Sequence, residues 1–265
     1  MSQSQSSHYT FGDTDLAAQR LILLAEAFAP SSTGFLKQSR LTKVHLAVDM
    51  GSELGLTTRQ LADITHADIV VGYERSTRYL ALARARFPDL RFEEVDVLSP
   101  VFPHAEIDLV YARFLLTHLP DPGAMLQTCV KHLRVGGRLL LEETSNLSSP
   151  LPTLATYYGY VSELQAHHGQ ETYIGRRLPM IAESLSQVRV TSRSTPIAMP
   201  AKTMARLHAL NISTWKSDPF MLEQKGGENL DDLEQALREI AQTSSELPKG
   251  LCEMSQVIVE KKAAE

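Results

Sequence analysis

Apolar residues at Leu16, Leu21, Leu23, Leu24, Ala27 and Phe28 recur at helical spacing and predict a helix over residues 15–28. Pro30-Ser31-Ser32 predicts a break, with a second short helix over 34–40. After this the period changes. Residues 44–50 form a short apolar run that reads as a buried strand, and LTTRQLADIT (56–65) reads as a helix. The same hand-over repeats along the chain. Strands are predicted at 67–74, 90–98, 107–114 and 136–143, and helices at 76–87, capped by Ser76, and from near Asp121 to 134. Short apolar strands alternating with helices predict a parallel sheet covered on both faces. The alternation loosens after Ser145. A mostly helical stretch over 152–186 precedes a strand at 188–197, helices at 203–215 and 231–244, and a final strand at 254–261. Residues 224–229, with Gly226-Gly227, are the best loop candidate in this part.

Composition changes this picture little. The chain has 265 residues, 43% hydrophobic and 22% charged, with a formal net charge of -5. That fits one soluble domain and gives no electrostatic footprint for nucleic acid. No apolar run approaches the roughly 18 residues needed to span a bilayer, and MSQSQSSHYTFGD lacks the features of a secretory signal, so a cytoplasmic protein is expected. Cys129 and Cys252 have no metal-ligand spacing and read as small buried apolar residues; no metal is expected.

The chemistry concentrates where strands end. VDMGSELG (48–55) joins the first strand to a helix, and Gly51 and Gly55 let backbone N–H groups approach a ligand without a Cβ in the way. Asp49 precedes this turn, and the following helix points its positive end at the same place. Glu74, about twenty residues on, ends the second strand and is placed to accept from ribose hydroxyls. Asp96, at the end of the third, is placed to accept from an adenine amino group, with the N–H of Val97 beside a ring nitrogen. One acid at each of three successive strand ends makes a coherent adenosine site.

These motifs, in this order, resemble the class I S-adenosylmethionine-dependent methyltransferases of the small-molecule type. VDMGSELG is similar to the first motif, VVGYERS to the second, EEVDV to the third, and residues 111–143 to the block running through the fifth strand, with its G-G-R turn. The resemblance implies a Rossmann-like, doubly wound α/β sheet of seven strands with the last inserted antiparallel. It implies one domain over 1–265: an N-terminal helical cap (1–43), a cofactor-binding core (44–145), a helical lid insertion (146–187) and C-terminal strands and helices (188–265). The implied cofactor is S-adenosyl-L-methionine, held by Asp49, Gly51, Ser52, Glu53, Gly55, Glu74, Arg75, Asp96 and Val97. Tyr9, Phe11 and Arg20 are candidates to close the pocket from the N-terminal helix, and Arg113 to reach its methionine end.

Glu53 is the departure, because the family usually has glycine there. The carboxylate either faces away or toward the cofactor's ammonium, or it repositions the cofactor for another reaction, or it repels the cofactor's own carboxylate. Two like charges 4 Å apart at an effective dielectric of about 20 cost about 4 kcal/mol. The acceptor is expected under the lid, against Tyr157, Tyr158, Tyr160, Tyr173 and Trp215, with His118, His167 or His168 as catalytic base. Methyl transfer to a hydroxyl or amine of a specialised metabolite is the leading expectation; the oligomeric state is not readable from the sequence, and a homodimer is one option. A cyclase or isomerase on the same fold, a nicotinamide-dependent oxidoreductase and a non-catalytic homologue are the alternatives.

Overall fold

A computed structural model describes residues 14–264 except 40 and 42. Tyr9 and Phe11 lie outside the described residues. The chain opens with α1 (Asp15–Leu36), capped by the Thr14 hydroxyl, and then alternates as the pattern predicts. The order is β1 (Leu46–Met50), α2 (Leu56–Thr65), β2 (Ile69–Glu74), α3 (Thr77–Arg86), β3 (Arg91–Glu94), β4 (Ile107–Arg113), α4 (Pro122–His132) and β5 (Leu133–Ser148). Side chains of Ser76 and Asp121 cap α3 and α4, the second by accepting from the Ala124 N–H at 2.9 Å.

The strands form one seven-stranded sheet in the order β3-β2-β1-β4-β5-β7-β6, where β6 is Val188–Met199 and β7 is Gly250–Lys261. The first five run parallel. β7 runs antiparallel between β5 and β6, as the resemblance implies. β1 pairs with β2 on one side and β4 on the other, so the chain reverses its direction of winding between β1 and β4. Ligands of such sheets bind at that switch point, outside the carboxyl ends of the strands.

Over that edge lies a helical layer: α5 (Pro152–His167), α7 (Ala201–Trp215), α8 (Pro219–Lys225) and α9 (Gly227–Gln242). It has an apolar core of its own, in which Phe28 of α1 joins Leu154, Tyr157, Leu207, Trp215 and Leu237. α6 (Leu178–Glu183) packs instead against the sheet core through Leu178 and Ala182. Cys129 and Cys252 are fully buried, and burial pushes both thiols up to about 12, which leaves them inert.

Two sequence expectations fail here. No break occurs at Pro30: α1 runs through it to Leu36, and the expected second helix over 34–40 is reduced to a 3-10 turn, Lys37–Ser39, that continues directly from it. Proline removes one N–H from the ladder, yet the buried stripe Leu21, Phe28, Phe35 and Leu36 continues on both sides of it. The Gln60 amide of α2 also holds this turn, donating to the Ala29 carbonyl at 2.8 Å and to Thr33 at 2.9 Å. Packing therefore outweighs the local signal. The expected loop at 224–229 shrinks to a single non-helical residue, Gly226, between α8 and α9. α8 is held by Asp218, whose side chain caps it, and by the buried Met221, neither of which a periodicity over seven residues displays.

Candidate active site

The turn after β1 is built by backbone geometry. Gly51, Glu53 and Gly55 all take left-handed conformations, with φ of 69°, 47° and 77°. The Ser52 N–H donates to the Tyr73 carbonyl at 2.9 Å, fastening the turn to β2. Ser52 is buried against Gly72, so it shapes the turn from behind. Asp49 is buried too, and its Oδ2 accepts from the hydroxyls of Thr57 at 2.6 Å and Thr58 at 2.7 Å. Burial raises its carboxyl to about 6, against those two hydrogen bonds and the nearby charge of Arg113. Asp49 thus staples the turn to the first residues of α2.

Glu74, at the end of β2, receives three backbone N–H groups. Its Oε2 accepts from Glu53 at 3.0 Å, and its Oε1 from Arg75 at 2.8 Å and Ser76 at 2.7 Å. Burial pushes its carboxyl up and the three N–H groups pull it down. A carboxylate oxygen has about two acceptor positions. Oε1 is filled by this count, and Oε2 keeps one position for a ligand hydroxyl. Asp96 lies two residues past the end of β3, exposed, with its Oδ1 accepting from the Leu98 N–H at 2.9 Å. Val97 is half-buried beside it, and Arg75 is exposed at the end of β2.

Two cavities open at the strand ends. A narrow cleft of about 40 Å³ follows the turn and is bordered by Arg20, Asp49, Gly51, Glu53, Arg113 and His118. The structure therefore gathers Glu53 with both arginines expected at the methionine end. Arg113 also donates to the Ser32 hydroxyl at 3.0 Å. A second cavity, of about 130 Å³, lies under the helical layer, between Phe28, Phe114, Tyr157, Leu207, His208 and Asn211. Arg20, Leu24, Phe114 and His118 border both.

The expected substrate wall is mostly elsewhere. Tyr157 borders the larger cavity and accepts from the Asn211 amide at 2.5 Å. Tyr158 and Trp215 are buried in the core of the helical layer. Tyr160 lies under the Lys225 ammonium at 4.6 Å, and Tyr173 under the Arg176 guanidinium at 4.7 Å. These last two are surface cation–π contacts. His167 and His168 are not brought to the cavity either. His167 is exposed and stacks on Phe220 at 4.0 Å, while His168 pairs with Asp218 at 2.9 Å. Both sit at the end of α5 on the side that meets α8, whereas Val161 and Gln165 of the same helix border the cavity. His118 does reach the site. Burial, then the charge of Arg20, push its imidazole down to about 4, against a hydrogen bond the imidazole donates to Gln170.

His208 and Asn211 were not among the expected site residues. The available signal was two polar residues at i and i+3 on the apolar face of a predicted helix, alongside Met204, Leu207 and Ile212.

Glu143, near the middle of β5, positions the segment that carries Phe114 and His118 by accepting from the Leu116 N–H at 2.7 Å. Burial raises its carboxyl from 4.5 to about 8. The unfolded chain therefore releases this proton near 4.5 and the folded chain near 8, so ionisation is disfavoured in the fold and stability falls as pH rises through that window. The slope is about 1.4 kcal/mol per pH unit. Chemical denaturation from pH 5 to 8 should show the wild type losing stability steadily relative to Glu143→Gln, which has no proton to lose. A pH-independent difference between the two would refute the shift.

Residues 48–141 match the methyltransferase domain family. That match covers the β1-to-β5 part of the sheet, so residues 48–141 carry a methyltransferase domain on a Rossmann-like sheet. A trans-aconitate 2-methyltransferase of Azoarcus sp. strain BH72 is 28% identical over 132 residues, covering 50% of this chain and 52% of the relative. The chain thus matches about half the length of such curated relatives. Phosphoethanolamine N-methyltransferase 2 of Haemonchus contortus, solved with S-adenosyl-L-methionine, superposes with a TM-score of 0.55 at 15% identity, covering 92% of this chain and 57% of that one. The 4+2 cyclase SpnF superposes at 0.57 with 13% identity, covering 88% and 82%. At these identities the structural likeness carries the fold alone.

Proposed function

We propose that this chain, as a single domain, transfers a methyl group from S-adenosylmethionine to a small specialised metabolite held in the larger cavity. The observation that carries this is the shared border. Arg20, Leu24, Phe114 and His118 face both the turn cleft and the cavity under the helices, so a donor in one abuts an acceptor in the other. The residues present fit the cofactor. Glu74 keeps one acceptor position for the ribose, Asp96 and Val97 would face the adenine, and the turn around Gly51 admits a close backbone approach. Glu53 would accept from the cofactor's ammonium, and Arg20 and Arg113 would face its carboxylate.

When bound, S-adenosylmethionine supplies a methyl group activated on a sulfonium. The chain's own part is to align the acceptor and exclude water. Phe28 and Phe114 pack edge to face at 4.9 Å beside the cavity and serve the second purpose. Proton removal is weakly supported, because the two imidazoles that border the cavity, His118 at about 4 and His208 at about 3, are poorly matched to an alcohol at neutral pH. An amine or an acidic hydroxyl, which needs little help, is therefore the acceptor we favour. One observation favours a second reading, in which the cofactor binds without losing its methyl group: the Glu53 carboxylate borders the turn cleft, where it would meet the cofactor's methionine end. A product heavier by one methyl group supports transfer, and an unchanged mass supports the second reading.

Calorimetric titration with S-adenosylmethionine tests the cofactor site. The wild type is expected to bind with Kd on the order of micromolar, and Glu53→Gln about tenfold more weakly, a loss of about 1.4 kcal/mol. Tighter binding by Glu53→Gln would mean that Glu53 obstructs the site.

A further inference from the structure

His208 and Asn211 stand out among the polar residues of the larger cavity. Both lie on one face of α7, and both are at least nine-tenths buried, with exposures of 6% and 7%. Among the described residues, neither ring nitrogen of His208 has a hydrogen-bond partner, and neither does Oδ1 of Asn211. A buried polar atom without a partner costs about 1–3 kcal/mol, and the two residues that carry these three atoms line one cavity. The surroundings fix their form. His208 stacks on Tyr157 at 4.1 Å and meets Tyr158 edge-on at 5.3 Å. The charged or titratable groups that share the cavity are Arg20, His118 and Tyr157. Burial and the charge of Arg20 keep the His208 imidazole neutral, so it offers one donor and one acceptor. Asn211 commits its amide N–H to Tyr157, which leaves Oδ1 as a second acceptor.

Resting on the methyltransferase reading, we infer that His208 and Asn211 form the recognition edge for the acceptor, and that the acceptor is a flat apolar molecule bearing one N–H or O–H donor. Two acceptors and one donor suit an aromatic amine or a phenol, whose polar group donates and also accepts. They suit a carboxylate poorly, since it would face Oδ1 with no proton to give. Size agrees, because a dry cavity of about 150 Å³ is enough for benzene, and this one is about 130 Å³. The apolar walls are Phe28, Phe114, Met204 and Leu207.

Phenol and aniline, with toluene and benzoate as comparisons, are titrated into the full chain by calorimetry and by ¹⁵N-edited NMR of the histidine rings. Phenol and aniline are expected to bind about tenfold tighter than toluene and to shift the His208 ring nitrogens, which toluene leaves in place. His208→Phe keeps the ring and removes both unpartnered nitrogens, so it should fold and lose most of the preference for phenol and aniline over toluene. Asn211→Leu should weaken phenol and aniline while toluene is unchanged. Equal binding of toluene and phenol by the wild type would overturn the inference, as would a preference for phenol that survives both substitutions. Tightest binding by benzoate would also overturn it, placing recognition on Arg20. None of these titrations needs the cofactor, so loss of S-adenosylmethionine binding would remove the proposed function and leave this subsite standing.

Discussion

Glu74→Ala is expected to weaken S-adenosylmethionine binding by two to three orders of magnitude, about 3–4 kcal/mol. The carboxylate acts twice. It fastens the tip of the turn through the Glu53 N–H and closes the start of α3 through Arg75 and Ser76. Hydrogen bonds to a charged group contribute about 1.5–3 kcal/mol each, and partial solvation of the exposed N–H groups reduces the sum. The variant also loses the position on Oε2 left for the ribose. Glu74→Gln keeps one carbonyl oxygen and should fall between alanine and wild type. Calorimetry reads the affinities, and thermal melting checks that the fold survives, as the buried Val70, Val71 and Tyr73 of β2 predict. A loss smaller than tenfold for Glu74→Ala would remove Glu74 from the cofactor site.

Gly55→Ala should lower stability by about 3 kcal/mol, by adding a left-handed penalty of roughly 1–2 kcal/mol to overpacking of about 1–3 kcal/mol. At φ 77° an added Cβ would stand 2.7 Å from Cζ of Phe92 and 3.0 Å from Cδ2 of Phe87. Both rings belong to the small cluster that packs α3 on β3, so neither can swing freely into solvent. For a domain of this size the melting temperature should drop by roughly 6–12 °C. Gly169→Ala is the control. Gly169 has φ 71° but, among the described residues, nothing within 4 Å of the added carbon, so it bears only the backbone penalty. Equal drops for the two variants would show that Phe87 and Phe92 yield.

Much of the sheet was legible because its signals are local. Apolar runs too short for helices, the caps Ser76 and Asp121 and the glycines of VDMGSELG each act within a few residues. The strand-end acids followed from the same pattern, since Asp49, Glu74 and Asp96 each lie within two residues of the carboxyl end of a strand. The helical layer was harder. Nothing near Pro30 announces that Gln60 will hold that turn, and nothing in a helix of seven residues announces α8. The tyrosines of α5 were grouped by composition, but at 3.6 residues per turn they point in different directions, and only Tyr157 meets the cavity. α7 shows the same limit from the other side. Its apolar face was readable, but which part of that face meets a core and which meets a cavity depends on α1 and α5, far away in the chain.

The four side chains that border both cavities have a thermodynamic consequence. Whatever factor an occupant of one cavity imposes on affinity in the other must be returned in full, because linkage between two binding sites is reciprocal. Arg20 and His118 are already coupled, since the charge of one suppresses protonation of the other. A guest that moves either one therefore alters the field in the neighbouring cavity. A library screened against the bare chain and one screened against the cofactor-loaded chain are screened against two different receptors, and the ratio of their hits measures the coupling directly.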